Sequence, residues 1–304
     1  MRKFLVFICI FGCFFVQAAF SGGNSASQKT PTPQASPAGR LGSAQSGFND
    51  AMAGMDSAFA TADSEPTLQD LYFLGRAVAA NILTVYRPYN GNPALTRYLN
   101  LICQAIVINN PTIELFNGSY VVILDSPDFN ALASPGGHIY ITKGLVEATT
   151  SEDMLAAIIA HELAHVKLKH GMKMIEEMRF YDDMNAIANR AFDFSRNSTG
   201  AQRLAEFRTS VSTMVDAMIR NGYSYSQEFE ADQEALSLLA AAGYDPGALR
   251  EVLNMLRERQ PSGGVGINST HPNPAERIRN IDRWITYYRV QNSRQFRAAR
   301  FRNN

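Results

Sequence analysis

The sequence predicts an α+β fold that is mostly helical, with a small, mainly antiparallel sheet. Four short runs with period-two alternation, "TIELF", "YVVILD", "FNALA" and "HIYIT", follow one another between turn residues. Apolar residues recur at helical spacing before these runs, and the chain beyond Ser151 has the pattern of helices. No internal repeat is visible, and 304 residues with 46% hydrophobic content can bury one sizeable core. One folded domain is therefore expected.

Two helices are predicted ahead of the sheet. The first begins near Thr67 and ends before Pro88, because proline removes a backbone N–H that a helix needs. The second runs from about Pro93 to Ile108. Cys103 lies in the apolar pattern of this second helix, so it is expected to pack as a small hydrophobic residue.

The first twenty residues have the pattern of a secretory signal peptide. Two basic residues precede an apolar run from Phe4 to Val16, and Ala18 and Ala19 offer a cleavage site. The run is too short to span a membrane comfortably, since a span needs about 20 apolar residues. Export with cleavage is expected, and lipoprotein anchoring through Cys13 is the alternative.

The folded domain is predicted to cover residues 67–290, between two segments of biased composition. Residues 21–66 are rich in Ser, Ala, Gly, Pro and Gln and are expected to form a disordered linker. Residues 291–304 form a basic tail, interpreted as a solvated helix end, with an anionic-lipid contact as the alternative. The 28 basic and 28 acidic residues balance, so no nucleic-acid partner is expected.

The helix predicted to start at Thr150 or Ser151 contains the motif H-E-x-x-H. His161 and His165 are four residues apart, so they lie one turn apart on one face, where two imidazoles can bind one divalent ion. Glu162 lies about 100° around the axis and can reach a water on that ion without being a ligand. The motif predicts a zinc hydrolase, and a structural histidine pair is the alternative.

A catalytic zinc usually has three protein ligands, and His170 is a poor candidate for the third. It would point about 180° away from His161 on a continuous helix. His170 also precedes Gly171, where a helix can end and a histidine can interact with the last carbonyls. His170 is therefore predicted to end the helix and not to bind the metal.

Glu228 is the better candidate for the third ligand. It lies with Asp232 on the small, apolar face of the helix "SYSQEFEADQEALSLLAAAGYDP", and buried carboxylates need a cation or hydrogen-bond donors. Asp232, one turn further on, is predicted to orient a ligand histidine. An ordinary buried salt bridge between Glu228 and a basic residue is the alternative. Glu230 and Glu234 are interpreted as surface charges.

Five blocks of sequence resemble one peptidase family in their order. They are "LGRAVAANILTVYRPY" with "YLNLI", "SPGGHIYITKGL", "HELAH", "EFEAD" and "STHPNPAERI". The chain resembles the H-E-x-x-H zinc peptidases that include the CAAX prenyl proteases, HtpX and BepA, and it is most similar to the soluble, periplasmic BepA-like branch without its repeat domain. The resemblance covers most of residues 67–285. It implies a zincin-like fold, one Zn²⁺ per chain, His161, His165 and Glu228 as ligands, Glu162 as the catalytic base and Asp232 near the metal.

The resemblance also implies two further sets of residues. His271 is expected to approach the metal as a displaceable ligand, although it and Asn273 could instead merely cap the final helix. The strand "HIYIT", with Ile139, Tyr140 and Ile141, is similar to the edge strand that aligns an extended substrate by backbone pairing.

Together these features predict a zinc-dependent endopeptidase of the bacterial cell envelope that acts in protein quality control. Polypeptides are the expected substrates, in particular misfolded or unassembled envelope proteins, and the periplasm is the expected location. The rival interpretations are an assembly factor or chaperone with a mainly structural zinc, and a hydrolase of non-protein amides. The Met-rich segment 172–219 is expected to form two helices beside the cleft, with a lid or peripheral membrane contact as the alternative.

Overall fold

A computed structural model describes residues 66–174, 222–259, 273–288 and 294–302, together with the single positions 212, 215 and 271. The predicted signal peptide, nearly all of the linker and most of the Met-rich segment lie outside these residues. None of the described helices is both long and apolar enough to cross a bilayer. The helices are α1 (Leu68–Val85), α2 (Pro93–Ile108), α3 (Lys143–Ala148), α4 (Glu152–Lys167), α5 (Tyr225–Ala241), α6 (Gly247–Glu258), α7 (Pro274–Ile285) and α8 (Arg294–Arg302).

The predicted α+β class is confirmed, and the sheet is smaller and more mixed than expected. Its strands are β1 (Tyr120–Leu124), β2 (Ala131–Ser134) and β3 (His138–Thr142), in the order β1-β3-β2. β3 is parallel to β1 and antiparallel to β2. The run "TIELF" forms turns and irregular backbone instead of a fourth strand.

The position of β3 corrects one sequence-based prediction. Ile139, Tyr140 and Ile141 pair with β1 on one side and with β2 on the other. The backbone groups of β3 are therefore already used, and a substrate strand cannot be added to it. The prediction that this segment is an aligning edge strand is wrong, because strand order is set by tertiary pairing and not by the strand's own residues.

The outer edge of β1 is closed by polar groups from neighbouring segments. The Val121 N–H donates to Asn100 Oδ1 at 3.0 Å, and Asn100 Nδ2 donates to the Val121 carbonyl at 2.8 Å. The Tyr89 N–H donates to the Ile123 carbonyl at 2.8 Å. The amide of Asn100 thus takes the place that a neighbouring strand would have at Val121.

The outer edge of β2 receives no backbone–backbone hydrogen bond from the described residues. Asn130 and Ser134 accept backbone hydrogen bonds from Thr142 and Gly137, on the β3 side. Because backbone groups alternate along an antiparallel strand, Ala131 and the residue two positions on, Ala133, point theirs away from β3. This outward edge lies towards α4, which carries the H-E-x-x-H motif.

The core is organised around α4, which is buried from Glu152 to His165. It packs against α5, where Ala231 and Ala235 are fully buried on the same face as Glu228 and Asp232. Small side chains at these positions let the two helices approach closely, as the helix-face analysis expects. Both acids are therefore brought to α4 by the packing of α5.

The C-terminal basic segment is docked and not solvated along its inner face. Arg297 pairs with Asp153 at 2.9 Å, and the Arg300 guanidinium donates from Nε to Glu152 at 3.0 Å. Both acids lie in the first turn of α4 and are nearly inaccessible to solvent. The prediction of a solvated helix end is wrong here because the paired acids lie far away in the sequence.

Candidate active site

The motif helix begins and ends where local chemistry dictates. The Ser151 hydroxyl accepts a hydrogen bond from the Met154 N–H at 3.2 Å, which caps the helix at one of its two predicted starts. The helix ends at Lys167, and Lys169 follows with φ of 55°, a left-handed conformation that reverses the chain. Residues beyond this turn are therefore free to fold back towards the motif.

Four side chains bring nitrogen and carboxylate donors together. His161, His165, Glu228 and His271 each offer one ligand atom, and these atoms lie within 4.8 Å of one another. The two histidine Nε2 atoms are 3.1 Å apart. Glu228 Oε1 lies 3.3 Å from His165 Nε2, and its Oε2 lies 3.5 Å from His161 Nε2. All four residues are buried, so this donor group is enclosed by protein.

This donor set fits a tetrahedral zinc ion. Ligands about 2.0–2.1 Å from a tetrahedral ion are separated from one another by about 3.3 Å. The distance between the two histidine Nε2 atoms, and the distances from these atoms to the two Glu228 oxygens, lie between 3.1 and 3.5 Å, around that value. Glu228 Oε2 is buried and forms an ion pair with Arg277 Nη1 at 2.9 Å. Two imidazoles and one carboxylate form a set that catalytic zinc sites use.

Glu162 lies beside this group without belonging to it. Its side chain is buried, and its Oε2 has no hydrogen-bond partner among the described residues. Burial raises the pKa of its carboxyl group, despite opposing effects of His271 and His161. A carboxylate with a raised pKa and an unused oxygen can accept a proton at that atom.

Arg277 holds the two acids of α5 in place. It donates from Nε and Nη2 to Asp232 at 2.8 and 2.6 Å, and its Nη1 forms an ion pair with Glu228 Oε2 at 2.9 Å. Burial acts to raise the pKa of Asp232, but Arg277 lowers it below the ordinary value. Burial also opposes ionisation of Glu228, yet His271 and Arg277 hold the pKa of this carboxyl well below its usual range.

Sequence reasoning did not identify Arg277 as a site residue. The salt bridge of Glu228 with a basic residue, which was the alternative to metal binding, is present, and Glu228 also belongs to the donor group. One signal was available, because Arg277 lies four residues before Ile281 on the buried face of a strongly amphipathic helix. An arginine on such a face requires buried acids as partners.

The two motif histidines have different electrostatic surroundings. Burial and Arg277 disfavour the cation of His161, but Asp232, 3.1 Å from its Nδ1, and Glu228 raise its pKa to about 9. Burial lowers the pKa of His165 to about 3. The predicted placement of Asp232 beside a motif histidine thus agrees with the structure, and that histidine is His161.

His170 lies outside the donor group, as predicted, but its other predicted role is wrong. The helix ends at Lys167, before His170, and a new helical turn begins at His170 itself. Its ring is fully buried, and its Nδ1 atom lies 2.8 Å from the Nδ1 atom of His165. The reversal at Lys169, which sequence periodicity did not anticipate, turns the ring back towards the motif.

His271 and Asn273 have separate places in the structure. Asn273 Oδ1 accepts from the Ala275 N–H at 2.9 Å and caps α7 without help from the histidine. His271 instead lies with its Nδ1 2.7 Å from Glu228 Oε1 and its Nε2 3.4 Å from the Ala131 carbonyl oxygen. His271 therefore links Glu228 in the donor group to the outward edge of β2.

A helix bearing H-E-x-x-H beside a glutamate from a second helix defines a metallopeptidase type of site. The family model described as peptidase family M48 matches residues 95–285, and the chain belongs to this family.

Individual relatives are identical to this chain at about a quarter of the aligned positions. It is 28% identical over 171 residues to mitochondrial metalloendopeptidase OMA1 of Schizosaccharomyces pombe, covering 56% of this chain and 47% of that protein. It is 25% identical over 218 residues to the beta-barrel assembly-enhancing protease of Yersinia pestis and 24% over 220 residues to that of Escherichia coli K12. Those alignments cover 71% of this chain and 43% and 44% of the relatives. The chain thus spans less than half the length of these proteins.

Proposed function

We propose that this protein is a zinc-dependent endopeptidase of the bacterial cell envelope that acts in protein quality control. The observation that carries the proposal is the enclosed donor group, which includes His161, His165 and Glu228, with a Glu162 oxygen beside it that has no hydrogen-bond partner among the described residues. A structural metal site has no use for that carboxylate, whereas a hydrolase requires a base there.

The residues of the site have separate roles in peptide hydrolysis. When bound, a zinc ion supplies a Lewis acid to the carbonyl and the water of the reaction. Glu162 accepts the proton of the attacking water and delivers it to the leaving amine. Asp232 holds the ring of His161 through its Nδ1, and Tyr223 stacks on the ring of His165 at a centroid distance of 4.0 Å. These contacts keep both imidazoles oriented towards the donor group.

The outward edge of β2 is the place where an extended substrate would pair. Two cavities open along this strand, one of about 30 Å³ at Ala131 and one of about 60 Å³ at Ala133 and Ser134. The first is lined by His161 and the second by His165. A polypeptide that pairs with β2 would therefore pass directly beside the motif histidines.

The smaller cavity also supports a preference for substrates with an apolar side chain next to the scissile bond. It opens beside Glu162, and α6 contributes its far wall. An apolar side chain next to the scissile bond would gain about 25 cal/mol for each Å² that it buries there. The aliphatic residues that line the cavity are Ile158, Leu145, Leu249, Val252, Leu253 and Leu256.

His271 is proposed to act as a displaceable latch. It contacts Glu228 in the donor group and the Ala131 carbonyl on the outward edge of β2. A substrate strand that paired with Ala131 would need that carbonyl, so His271 would have to leave. One movement of His271 would thus remove it from the donor group and free the Ala131 carbonyl for substrate pairing.

Misfolded or unassembled envelope polypeptides are the proposed substrates, and the periplasm is the proposed location. The names of the relatives, a beta-barrel assembly-enhancing protease and a mitochondrial metalloendopeptidase, support proteolysis linked to protein assembly. The predicted signal peptide supports export, with lipoprotein anchoring as the alternative.

One observation favours a second candidate, an assembly factor with a mainly structural zinc. His271 adds a fourth donor to the group, and structural zinc sites are closed by four protein ligands. This candidate predicts stoichiometric zinc without cleavage, even after His271 is replaced.

The proposal is tested with purified protein by metal analysis and by cleavage of an unfolded outer-membrane protein. Wild-type protein is expected to bind one zinc ion and to cleave the substrate until a chelator is added. Glu228→Ala should lose the zinc, whereas Glu234→Ala, a change to another acid on α5, should keep it. Zinc retained by Glu228→Ala, or cleavage that persists in chelator, would contradict the proposal.

A further inference from the structure

His165 uses its two ring nitrogens for different purposes. Its Nε2 points into the donor group, 3.1 Å from His161 Nε2, while its Nδ1 lies 2.8 Å from His170 Nδ1. A nitrogen that binds a metal carries no proton, so the proton of a neutral His165 must be on Nδ1. His170 Nδ1 is therefore the acceptor in this contact.

The direction of the next hydrogen bond follows from the first. If His170 accepts at Nδ1, its own proton is on Nε2, which lies 3.3 Å from Glu230 Oε2. An ionised carboxylate only accepts hydrogen bonds, so this end fits a donating Nε2–H. The metal at one end and the carboxylate at the other thus require the same tautomer of His170.

The burial of the three side chains suits a relay, meaning the chain of hydrogen bonds from His165 through His170 to Glu230. His165 and His170 are almost entirely inaccessible, whereas the side chain of Glu230 is 53% exposed and also lies 3.8 Å from Lys173 Nζ. Tyr223 stacks on the face of the His165 ring, so the hydrogen bond at its edge fixes the remaining rotation. Stacking and the hydrogen bond together fix the plane and the direction of the His165 ring.

We propose that His170 and Glu230 are positioning residues that fix the tautomer and orientation of His165 for the metal. The inference rests on the proposed function and assigns it two residues outside the donor group. The two ligand histidines are thus oriented in different ways by α5. Asp232 contacts His161 directly, whereas Glu230 acts on His165 through an inserted imidazole.

Two substitutions at His170 separate a positioning role from simple packing. His170→Asn places an oxygen acceptor close to the position of Nδ1, whereas His170→Leu fills the buried space without an acceptor. We expect zinc affinity, measured by competition with a chelator, to fall about 10–100-fold in His170→Leu and much less in His170→Asn. The visible spectrum of the cobalt-substituted protein should shift in the leucine variant and stay close to that of the wild type in the asparagine variant.

A pair of acids on α5 provides the matched control. Glu230→Ala should lower zinc affinity by about tenfold or less, since water can replace an exposed carboxylate. Glu234→Ala removes the 2.6 Å salt bridge to Lys167 on α4 but does not touch the relay, so its zinc affinity should not change.

Three outcomes would overturn the relay. They are equal zinc affinity in His170→Leu and wild type, equal losses in His170→Leu and His170→Asn, and equal losses in the two glutamate variants. A wild-type protein that binds neither zinc nor cobalt would instead refute the proposed function, and with it the relay.

Discussion

Arg277 joins Asp232 through two hydrogen bonds, from Nε at 2.8 Å and from Nη2 at 2.6 Å. The third nitrogen of the same guanidinium lies 2.9 Å from Glu228 Oε2. One residue of α7 therefore sets the positions of two carboxylates, Glu228 in the donor group and Asp232 beside His161. Lysine cannot reproduce this geometry, because it presents a point charge and not a planar fork.

Replacing Arg277 should destabilise the fold strongly. Arg277→Ala leaves Asp232 and Glu228 buried without their cation, and breaking such a buried pair costs about 3–5 kcal/mol. Arg277→Lys keeps the charge and should cost less. Urea unfolding in the presence of a chelator measures both variants without a contribution from metal. An alanine variant as stable as the wild type would show that the guanidinium contributes nothing net to the fold.

Replacing Glu162 should separate metal binding from catalysis. Glu162→Gln keeps the shape of the side chain but cannot accept the proton of the attacking water. Cleavage of an unfolded substrate should fall by about 10²–10⁴-fold, while the zinc content stays at that of the wild type. Rates from matched amounts of zinc-loaded protein test this. Undiminished cleavage by the glutamine variant would remove Glu162 from its role.

Removing the ring of His271 should raise proteolysis. His271→Ala leaves His161, His165 and Glu228 as donors and frees the Ala131 carbonyl on β2. Cleavage should therefore increase several-fold with zinc retained. Asn273→Ala is the control, because it loses the cap of α7, worth about 1 kcal/mol, without touching the donor group. Unchanged or lower activity in the zinc-loaded alanine variant would argue against a latch.

The two arginines of α8 should differ in their effect on stability. Arg297 is buried against Asp153, so Arg297→Ala breaks a buried pair and should cost about 3–5 kcal/mol. The Arg300 side chain is 56% exposed, and Glu152 keeps hydrogen bonds from Tyr98 and Tyr244 after Arg300→Ala, so about 1 kcal/mol is expected. Denaturant unfolding of both variants tests the order. A larger loss in the Arg300 variant would reverse it.

Cys103 should make stability fall at alkaline pH. Burial raises the pKa of its thiol from 9.0 to about 11, so the folded protein resists ionisation that the unfolded chain undergoes. Stability from this group is complete below pH 9 and falls as the pH rises towards 11, by about 2–3 kcal/mol. Cys103→Ala should lack this part of the pH dependence of unfolding. Identical alkaline slopes in the two proteins would contradict the prediction.

The sequence was sufficient for features that depend on local periodicity. Helical spacing alone places His161 beside His165 and puts Glu228 on the buried face of α5, because each face is set by positions a few residues apart. Helical spacing gave the wrong place for His170, since the chain reversal at Lys169 breaks the periodicity there.

Features that depend on distant partners were not predictable in this way. In the sequence, Arg277 is one more arginine on an amphipathic helix, because its partners Asp232 and Glu228 lie 45 and 49 residues earlier and only the fold brings them alongside. In the sequence, Arg297 is part of a basic tail, and only the structure shows that it pairs with Asp153. The central position of β3 likewise follows from pairing with two other strands, which its own five residues do not encode.

Asn100 also limits how the molecule can associate with itself. An uncovered β1 would offer a template to another copy, and each copy joined there would present the next free strand, which is how filaments grow. With the amide of Asn100 on Val121, the β2 edge of another copy cannot pair with β1 at this position. The covered β1 edge therefore removes one route by which copies of this chain would join head to tail.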